Sequence, residues 1–538
     1  MSNIKVLDCT LRDGGYINDW RFGYTNIKSI IARLTKANID VVEVGFLEDH
    51  EYDKERSFFS DVGQIIDVLP ENRENTQFVA MTRYGKLNIN NLKEFDGRSV
   101  DGIRITFHED EVEGAMEFCK LVKEKGYKVY VQPVGTTSYT DRYLLNLIDI
   151  VNQMEPYAFY IVDTLGLMKK NDLLRMFYLV DNNLKENIIL GFHSHNNLQL
   201  SFSNSQEIVD LHTGRQIMLD SSVYGMGRGA GNLNTELITQ HLNLVRNSQY
   251  RTDYLLEIID DTIGKLREVY TWGYSVPYYL AAINNCHPNY ATYLMNRKTL
   301  PIKSISTILK NITQDKRELY NKEYIEELYK QFQQHNIDDM SDRERLKEQL
   351  VGRNILIIAP GNSLTRESER IRMHIRDHQS VVISVNFDGD EFGASFSFYS
   401  NAKRFENDQE VMSRKKDDRP KLIITSNITA DEGTYEYKVN YSDYLNAKPL
   451  VNDNATLMLI ALIIKLDIPR IDIAGFDGFK LNTDENYIKE KMETNLDSTV
   501  IMDINQQITE VVKEYSQKIE LNFITESLYQ VDRVYATK

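Results

Sequence analysis

The stretch KVLDCTLRDGG, residues 5–15, is a short apolar run that stops on an arginine, an aspartate and two glycines. A run of that length closed by turn-forming glycines reads as a buried strand rather than a helix. The glycines are expected to supply backbone freedom for the turn beneath the charged pair. Arg12 beside Asp13 is then either a surface ion pair or a pair fixed at a strand tip for chemistry. The remainder of the chain decides between them.

Seven similar runs follow, at 40–46, 77–82, 102–107, 128–134, 158–163, 188–194 and 216–223. Between them lie amphipathic segments such as NIKSIIARLTKAN and GAMEFCKLVKEKG, the second ending on glycine as a helix does. Eight β-then-α units with nearly continuous apolar strands predict a closed parallel TIM (β/α)8 barrel, with an open doubly wound sheet as the alternative. In such a barrel the active site lies at the carboxyl ends of the strands. Those ends offer Arg12 and Asp13, Glu43, Arg104 and His108, Gln132, Asp163 and Thr164, then His193 and His195. After the eighth strand comes GMGRGAGNLNTE, residues 225–236.

At 538 residues, two or three domains are expected. We divide the chain into the barrel (1–240), a helical extension packed on it (241–349) and a C-terminal Rossmann-like α/β domain (350–538). A formal net charge of −16 argues against nucleic-acid binding but leaves room for a local basic pocket. Three widely spaced cysteines suggest neither a disulfide framework nor a zinc motif. Without a signal peptide or an apolar run near 18 residues, the expectation is a cytoplasmic protein with no membrane span. The longest apolar stretch, LMLIALIIKL at 457–466, is short enough for a buried helix.

GFHSHNN puts His193 and His195 two residues apart at a strand end, so both imidazoles can share a face. They are either metal ligands or one core and one capping histidine. With Asp13 they would supply two nitrogens and one oxygen, a set suited to Mn²⁺, Mg²⁺, Zn²⁺ or Fe²⁺ acting as a Lewis acid.

TLRDGG on the first strand, VEVGF on the second, VDTLG on the sixth, HSHNN on the seventh and GRGAGN after the eighth resemble the DRE-TIM metallolyase superfamily over residues 4–300. The resemblance implies that Asp13, His193 and His195 bind a divalent metal, Mn²⁺ or Mg²⁺ with Zn²⁺ as alternative, and that Asn232 is a further ligand. Arg12 would steady the enolate of a pyruvate-like 2-oxo acid, making the chain a lyase or aldolase that joins a small-molecule 2-oxo acid to an aldehyde. The likeness is greatest to the 4-hydroxy-2-oxovalerate aldolase branch. The cysteine-bearing loop of the hydroxymethylglutaryl-CoA lyases is absent, and the condensing synthases read LRDGEQ where this chain has LRDGGY. One departure stands out: the aldolases place a histidine base three residues beyond the metal aspartate, where this chain has Tyr16. Tyr16 is either a proton shuttle, its pKa lowered by a nearby cation, or a packing residue, with His108 and Tyr139 as further candidates. Glu43 is taken as catalytic, and Arg104, Gln132, Asp163 and Thr164 as substrate contacts or as residues orienting the metal ligands. The rival readings are a Claisen-type acyl-CoA synthase and a non-catalytic metal-binding scaffold.

The C-terminal part opens NILIIAPGNSL, a strand running into a glycine turn and a helix, with further strands at 381–387, 421–427 and 470–479. Asn362, Asn386 and Asp477 fall at strand ends. This part resembles bacterial sialyltransferase-like and hydroxymethylpterin-pyrophosphokinase-like domains. It implies a nucleotide or nucleotide-sugar pocket near Gly361, Asn362, Ser363 and Asn386, and a role in cell-surface glycan synthesis; a degenerate assembly domain is the alternative. A homo-oligomer is expected.

Overall fold

The computed structural model describes residues 3–211, 213–317, 319–413, 419–480, 486–488 and 498–530. It divides into two units, Met1–Thr292 with Ile312–Tyr320, and Tyr293–Asn311 with Asn321–Lys538. Among the described residues no helix is long and apolar enough to cross a membrane.

In the first unit the strands are β1 (Ile4–Asp8), β2 (Val41–Leu47), β3 (Phe58–Phe59), β4 (Gln77–Arg83), β5 (Gly102–Phe107), β6 (Lys128–Pro133), β7 (Ala158–Asp163), β8 (Ile189–Ser194) and β9 (Ile217–Ser221). They pair in the order β1-β9-β8-β7-β6-β5-β4-β2, and β1 pairs β2 through Leu7–Val41 and Asp8–Val42, which closes a TIM barrel of eight parallel strands. The two-residue β3 only flanks β2. Both strand faces are apolar because both are covered. Leu7, Cys9, Val41, Val79, Tyr130, Tyr160 and Met218 fill the inside, while Val6, Val42, Ile103, Ile161 and Leu190 meet the helices outside. Helix Tyr24–Lys36 shows the complementary pattern, burying Ile27, Ile30, Ile31 and Leu34 at helical spacing. Each such burial contributes about 1.5–3 kcal/mol. Strand periodicity then sets the site: one inward position above Val41, Tyr130 and Met218 stand Glu43, Gln132 and Asp220, and one above Gly191 stands His193.

The second unit is built on a seven-stranded, all-parallel sheet of β10 (Ile355–Ile358), β11 (Val381–Val385), β12 (Phe396–Tyr399), β13 (Lys421–Thr425), β14 (Tyr437–Val439), β15 (Arg470–Ala474) and β16 (Glu520–Phe523). Their order is β14-β13-β12-β11-β10-β15-β16, so strand order reverses between β10 and β15. The apolar stretch at 457–466 is a buried helix, Ala455–Lys465, capped by Asn454.

The helices expected as one extension over 241–349 divide between the units, and Tyr293–Asn311 and everything from Asn321 onward go with the second sheet. The charged stretch 338–354, expected to lead into the last domain, contains a packed helix, Met340–Leu350. Leu346 and Leu350 are buried in the second core, and Asp339 and Asp342 accept the backbone N–H groups of Asn440 and Lys438 at 2.9 and 2.8 Å. Two leucines at helical spacing outweigh the run of charge around them.

Candidate active site

Beyond β1 the chain turns through Thr10 and Leu11 into a 3-10 helix, Gly14–Ile17. Gly15 is needed for space, not for a left-handed backbone, as expected above. A Cβ there would lie 2.0 Å from the Trp20 ring, whose Nε1 donates to the Arg12 carbonyl at 2.8 Å. The indole thus holds the Arg12–Asp13 corner from below.

The Arg12 guanidinium is buried and bidentate in its commitments. Nε donates to Glu43 Oε2 at 2.8 Å and Nη1 to Asp13 Oδ1 at 2.6 Å. Glu43 Oε2 also meets Arg104 Nη1 at 3.1 Å, Arg104 Nη2 reaches Asp220 Oδ2, and Asp220 Oδ2 lies 3.0 Å from His193 Nδ1. Charges therefore alternate across the barrel floor from Asp13 to His193. Asp220 fixes His193 so that Nε2 is the nitrogen free to coordinate, a second-layer carboxylate–imidazole arrangement. Burial works against each charge, and the neighbours outweigh it. Arg12 holds Asp13 well below the usual carboxylate range, Arg104 holds Asp220 below it, and both arginines stay charged. Two guanidiniums face three carboxylates, leaving one net negative charge in a buried cluster.

A divalent cation fits that deficit and the donors present. Ligand atoms of Asp13, His193 and His195 all lie within 4.8 Å of one another. Burial pushes the His195 imidazole down to about 4, so it is neutral and able to coordinate at pH 7. Two buried acceptor atoms there have no hydrogen-bond partner: His195 Nδ1, 4.0 Å from Asp13 Oδ2, and Asn232 Oδ1, whose amide nitrogen donates to Asp13 Oδ2 at 2.6 Å. Buried polar atoms are rarely left unsatisfied. Gly227 leaves the room they need, since a Cβ there would come 2.3 Å from Asn232 Nδ2 and 2.9 Å from Asp13 Oδ2. Arg12 Nη2 is likewise buried and unpartnered, a donor left over beside this group.

Above the floor lies a cavity of about 1890 Å³, its open mouth included, lined by Arg12, Asp13, Tyr16, His108, Gln132, Thr164, His193 and His195 among others. Glu43, Arg104 and Asp163 do not line it. Glu43 and Arg104 are fully buried beneath Arg12, so they position it and Asp220 rather than touch a ligand. Both Asp163 oxygens accept backbone N–H groups, of Leu167 and Met168 at 2.9 Å each, and burial pushes its pKa up to about 6. It anchors the loop after β7. Gln132 keeps a buried Oε1 without a partner, and Thr164 Oγ1 accepts from Gly135 N at 2.9 Å. Tyr16 packs edge-on to Trp20, ring centroids 4.9 Å apart, and lines the cavity. The lowering of its pKa expected for a shuttle is not found: desolvation raises it, so the phenol is protonated at neutral pH and can act only as a donor. Cys9 is a core residue, and Tyr139 is buried against Tyr143. Asp220, Arg228 and His287 belong to the site's surroundings and were missed. Asp220 had a signal, as a lone carboxylate at an inward position of an apolar strand.

In the second unit a cavity of about 850 Å³, mouth included, opens at the carboxyl ends of β10, β11, β12 and β15. Gly361, Asn386, Asn401, Arg404 and Asp453 line it, with Phe476, Phe479, Tyr487 and Tyr529. It lies where strand order reverses, the usual ligand position in open parallel sheets. The expected phosphate cradle at Gly361–Ser363 is already filled: Gly361 N donates to Gly475 O, and Asp477 takes both the Ser363 N–H and its hydroxyl. The helix there has four residues. Ser363 is buried, and neither it nor Asn362 lines the cavity.

Residues 3–261 match the HMGL-like family model. The chain is 26% identical over 246 residues to a 4-hydroxy-2-oxovalerate aldolase of Roseiflexus castenholzii, covering 45% of this chain and 71% of that one. It is 25% identical over 245 residues to an oxaloacetate decarboxylase of Mycobacterium tuberculosis, covering 44% and 69%. A solved N-terminal domain of a proposed aldolase from Bacteroides vulgatus aligns at 27% identity over 54% of this chain and 96% of that one, with a TM-score of 0.46. The barrel half of this chain is thus similar in sequence to the HMGL-like family model and to 4-hydroxy-2-oxovalerate aldolases.

Proposed function

We propose that the barrel is a divalent-metal-dependent carbon–carbon lyase, an aldolase that takes a pyruvate-like 2-oxo acid and an aldehyde. The observation that carries this is the Asp13–His193–His195 group with two unpaired acceptors and the unpaired Arg12 Nη2 beside it. An ion held by Asp13, His193, His195 and Asn232, Mn²⁺ or Mg²⁺ with Zn²⁺ as the alternative, would supply Lewis acidity toward the oxo acid's carbonyl. Arg12 does the rest of the charge handling. Its Nη2 is pre-aimed by Glu43 and Asp13 to donate to the oxygen on which enolate charge develops, an interaction of a few kcal/mol (roughly 3) when preorganised. Tyr16, protonated at neutral pH, serves as donor to the aldehyde-derived oxygen, and His108 across the same cavity is the acceptor for the methyl proton.

The test is solvent exchange. With Mn²⁺ present, pyruvate methyl protons should exchange into deuterated water, and Arg12→Lys should slow this at least 100-fold, because an ammonium cannot keep three fixed donors. Exchange seen only with acetyl-CoA would replace the aldolase by a Claisen reading; exchange with neither would leave a scaffold.

For the second unit we infer a nucleotide or nucleotide-sugar pocket centred on Asn386, Arg404 and the aromatic wall. Support comes from its position at the strand-order reversal and from a cation beside aromatic faces. A role in glycan synthesis follows only if a nucleotide-sugar is what binds there.

A further inference from the structure

We propose that Arg228 selects an acceptor aldehyde bearing an anionic group, a carboxylate or a phosphate, away from its reacting carbonyl. This rests on the aldolase reading above and names the class of its second substrate.

Arg228 lies in the loop that carries Asn232, and its neighbours are fixed. Gly229 has φ +67°, and a Cβ there would come 2.8 Å from Asn197 Oδ1. Ala230 N donates to that same oxygen at 2.9 Å, and Asn196 N donates to Gly231 O at 2.8 Å. Between Gly227 and Gly231 the one long side chain is that of Arg228, and it lines the barrel cavity. It pairs with no carboxylate among the described residues. It meets instead the His287 imidazole, and its guanidinium stands 5.8 Å from the Tyr16 ring centroid. His287 comes from beyond the barrel, at the start of helix Pro288–Asn296, and is buried and neutral, its pKa pushed to about 3 by burial and by Arg228.

The rest of the rim has the same sign. Lys86 lines the cavity without a carboxylate partner among the described residues, and Arg83 lines it while paired to Glu48 at 2.7 Å. Of the lining carboxylates, Asp13 is committed to Arg12 and Asn232, and Glu111 accepts the His108 N–H at 2.8 Å. Arg228, exposed at the rim and without a carboxylate partner among the described residues, keeps its donors available to a ligand above the floor. An anion placed there gains a charge-assisted, bidentate contact. The oxo acid does not supply that anion, because its oxygens are engaged at the buried floor with Arg12, whereas Arg228 is exposed at the rim. What remains is the partner molecule. In the bond-forming step the enolate methylene joins the aldehyde carbon and the aldehyde oxygen takes up a proton. The anionic group is unchanged and only steers.

The experiment compares kcat/KM, with pyruvate and Mn²⁺, within two pairs: glyceraldehyde 3-phosphate against glyceraldehyde, and succinic semialdehyde against butanal. The phosphate and carboxylate sources are thereby separated. The wild type should favour the anionic member of one pair at least 30-fold. Arg228→Leu should bring that ratio near one, and Arg228→Lys should retain most of it. Taking a ratio cancels any general loss of activity. Pyruvate exchange with no anionic preference in either pair overturns the proposal alone, as does a preference that survives Arg228→Leu. Absence of pyruvate exchange in the wild type overturns the aldolase reading, and this proposal with it.

Discussion

The two cavities occupy the same topological position, the carboxyl ends of parallel strands, yet they are furnished differently. At the barrel mouth, side chains from β1, β2, β5, β8 and β9 converge on one point and form an alternating chain of charge. In the second unit the strand ends present asparagines, backbone and aromatic rings. The carboxylate nearest the glycine turn, Asp477, is spent on holding Ser363. Closure explains the difference. A barrel turns inward residues of many strands toward a common axis, so ionised groups can satisfy one another in a dry floor. An open sheet offers only the few strands beside its reversal point, and recognition falls to loops.

The sharpest break in this comparison is His193→Ala combined with His195→Ala. Divalent-ion affinity should fall at least 1000-fold and pyruvate exchange should vanish. The fold should persist, because Asp220 keeps Arg104 as partner and strand tips add little to the core. Titration calorimetry with Mn²⁺ and far-UV circular dichroism check both halves. Retained tight binding would remove the barrel mouth from the metal account altogether.

The second unit can be tested apart from the barrel. A fragment of residues 293–538 should melt cooperatively, whereas 350–538 should not. The shorter piece lacks Leu346, and its chain begins at Leu350, so the packing of both fully buried side chains is lost. At about 1.5–3 kcal/mol each this removes much of a domain's stability of roughly 5–15 kcal/mol. The nucleotide reading adds a second readout on the longer fragment. CMP or UDP should raise its melting temperature, and Arg404→Leu should abolish the rise, by the linkage any native-state ligand obeys. An equally stable 350–538 would return the boundary to the charged stretch.

Much of the barrel was legible because its signals are local. Apolar runs at regular spacing imply strands, and strand ends imply the mouth, so Asp13 and His193, 180 positions apart, could be placed together. Residues whose role depends on a partner elsewhere were not legible. Glu43 looks catalytic, and Arg104 like a substrate contact, until the register sets both beneath Arg12. Gly15 looks like a flexible turn until Trp20 is seen against it. His287 enters the cavity from a later helix, and nothing in CHPN announces it. In the second unit β12, β14 and β16 went unread, being only three or four residues long. There, half-polar runs such as FSFY gain strand character from their neighbours.

The smallest effect concerns proton linkage, in which groups of the barrel oppose one another in sign. With metal removed by chelator, His195 and His287 titrate near 4 and 3 in the folded barrel against 6.5 when free. Their contribution is full above pH 6.5 and is lost as pH falls, about 2 kcal/mol each between pH 7 and 5. Asp8 and Asp163 run the other way. Burial raises both from 3.8 to about 6, so the folded barrel gains protons, and about 1 kcal/mol each, over the same interval. Asp40, also raised by burial, adds to that side. The wild-type change is a small difference of opposed terms, and single variants expose them. On acidification from pH 7 to 5, His287→Asn should gain about 2 kcal/mol relative to the wild type, and Asp8→Asn should lose about 1 kcal/mol relative to it. Urea melts at the two pH values measure this on the barrel transition. The second unit's transition should be indifferent to both variants, since His287 and Asp8 belong to the first unit. Variant shifts of equal sign would refute the assignment of these four groups as the barrel's proton balance.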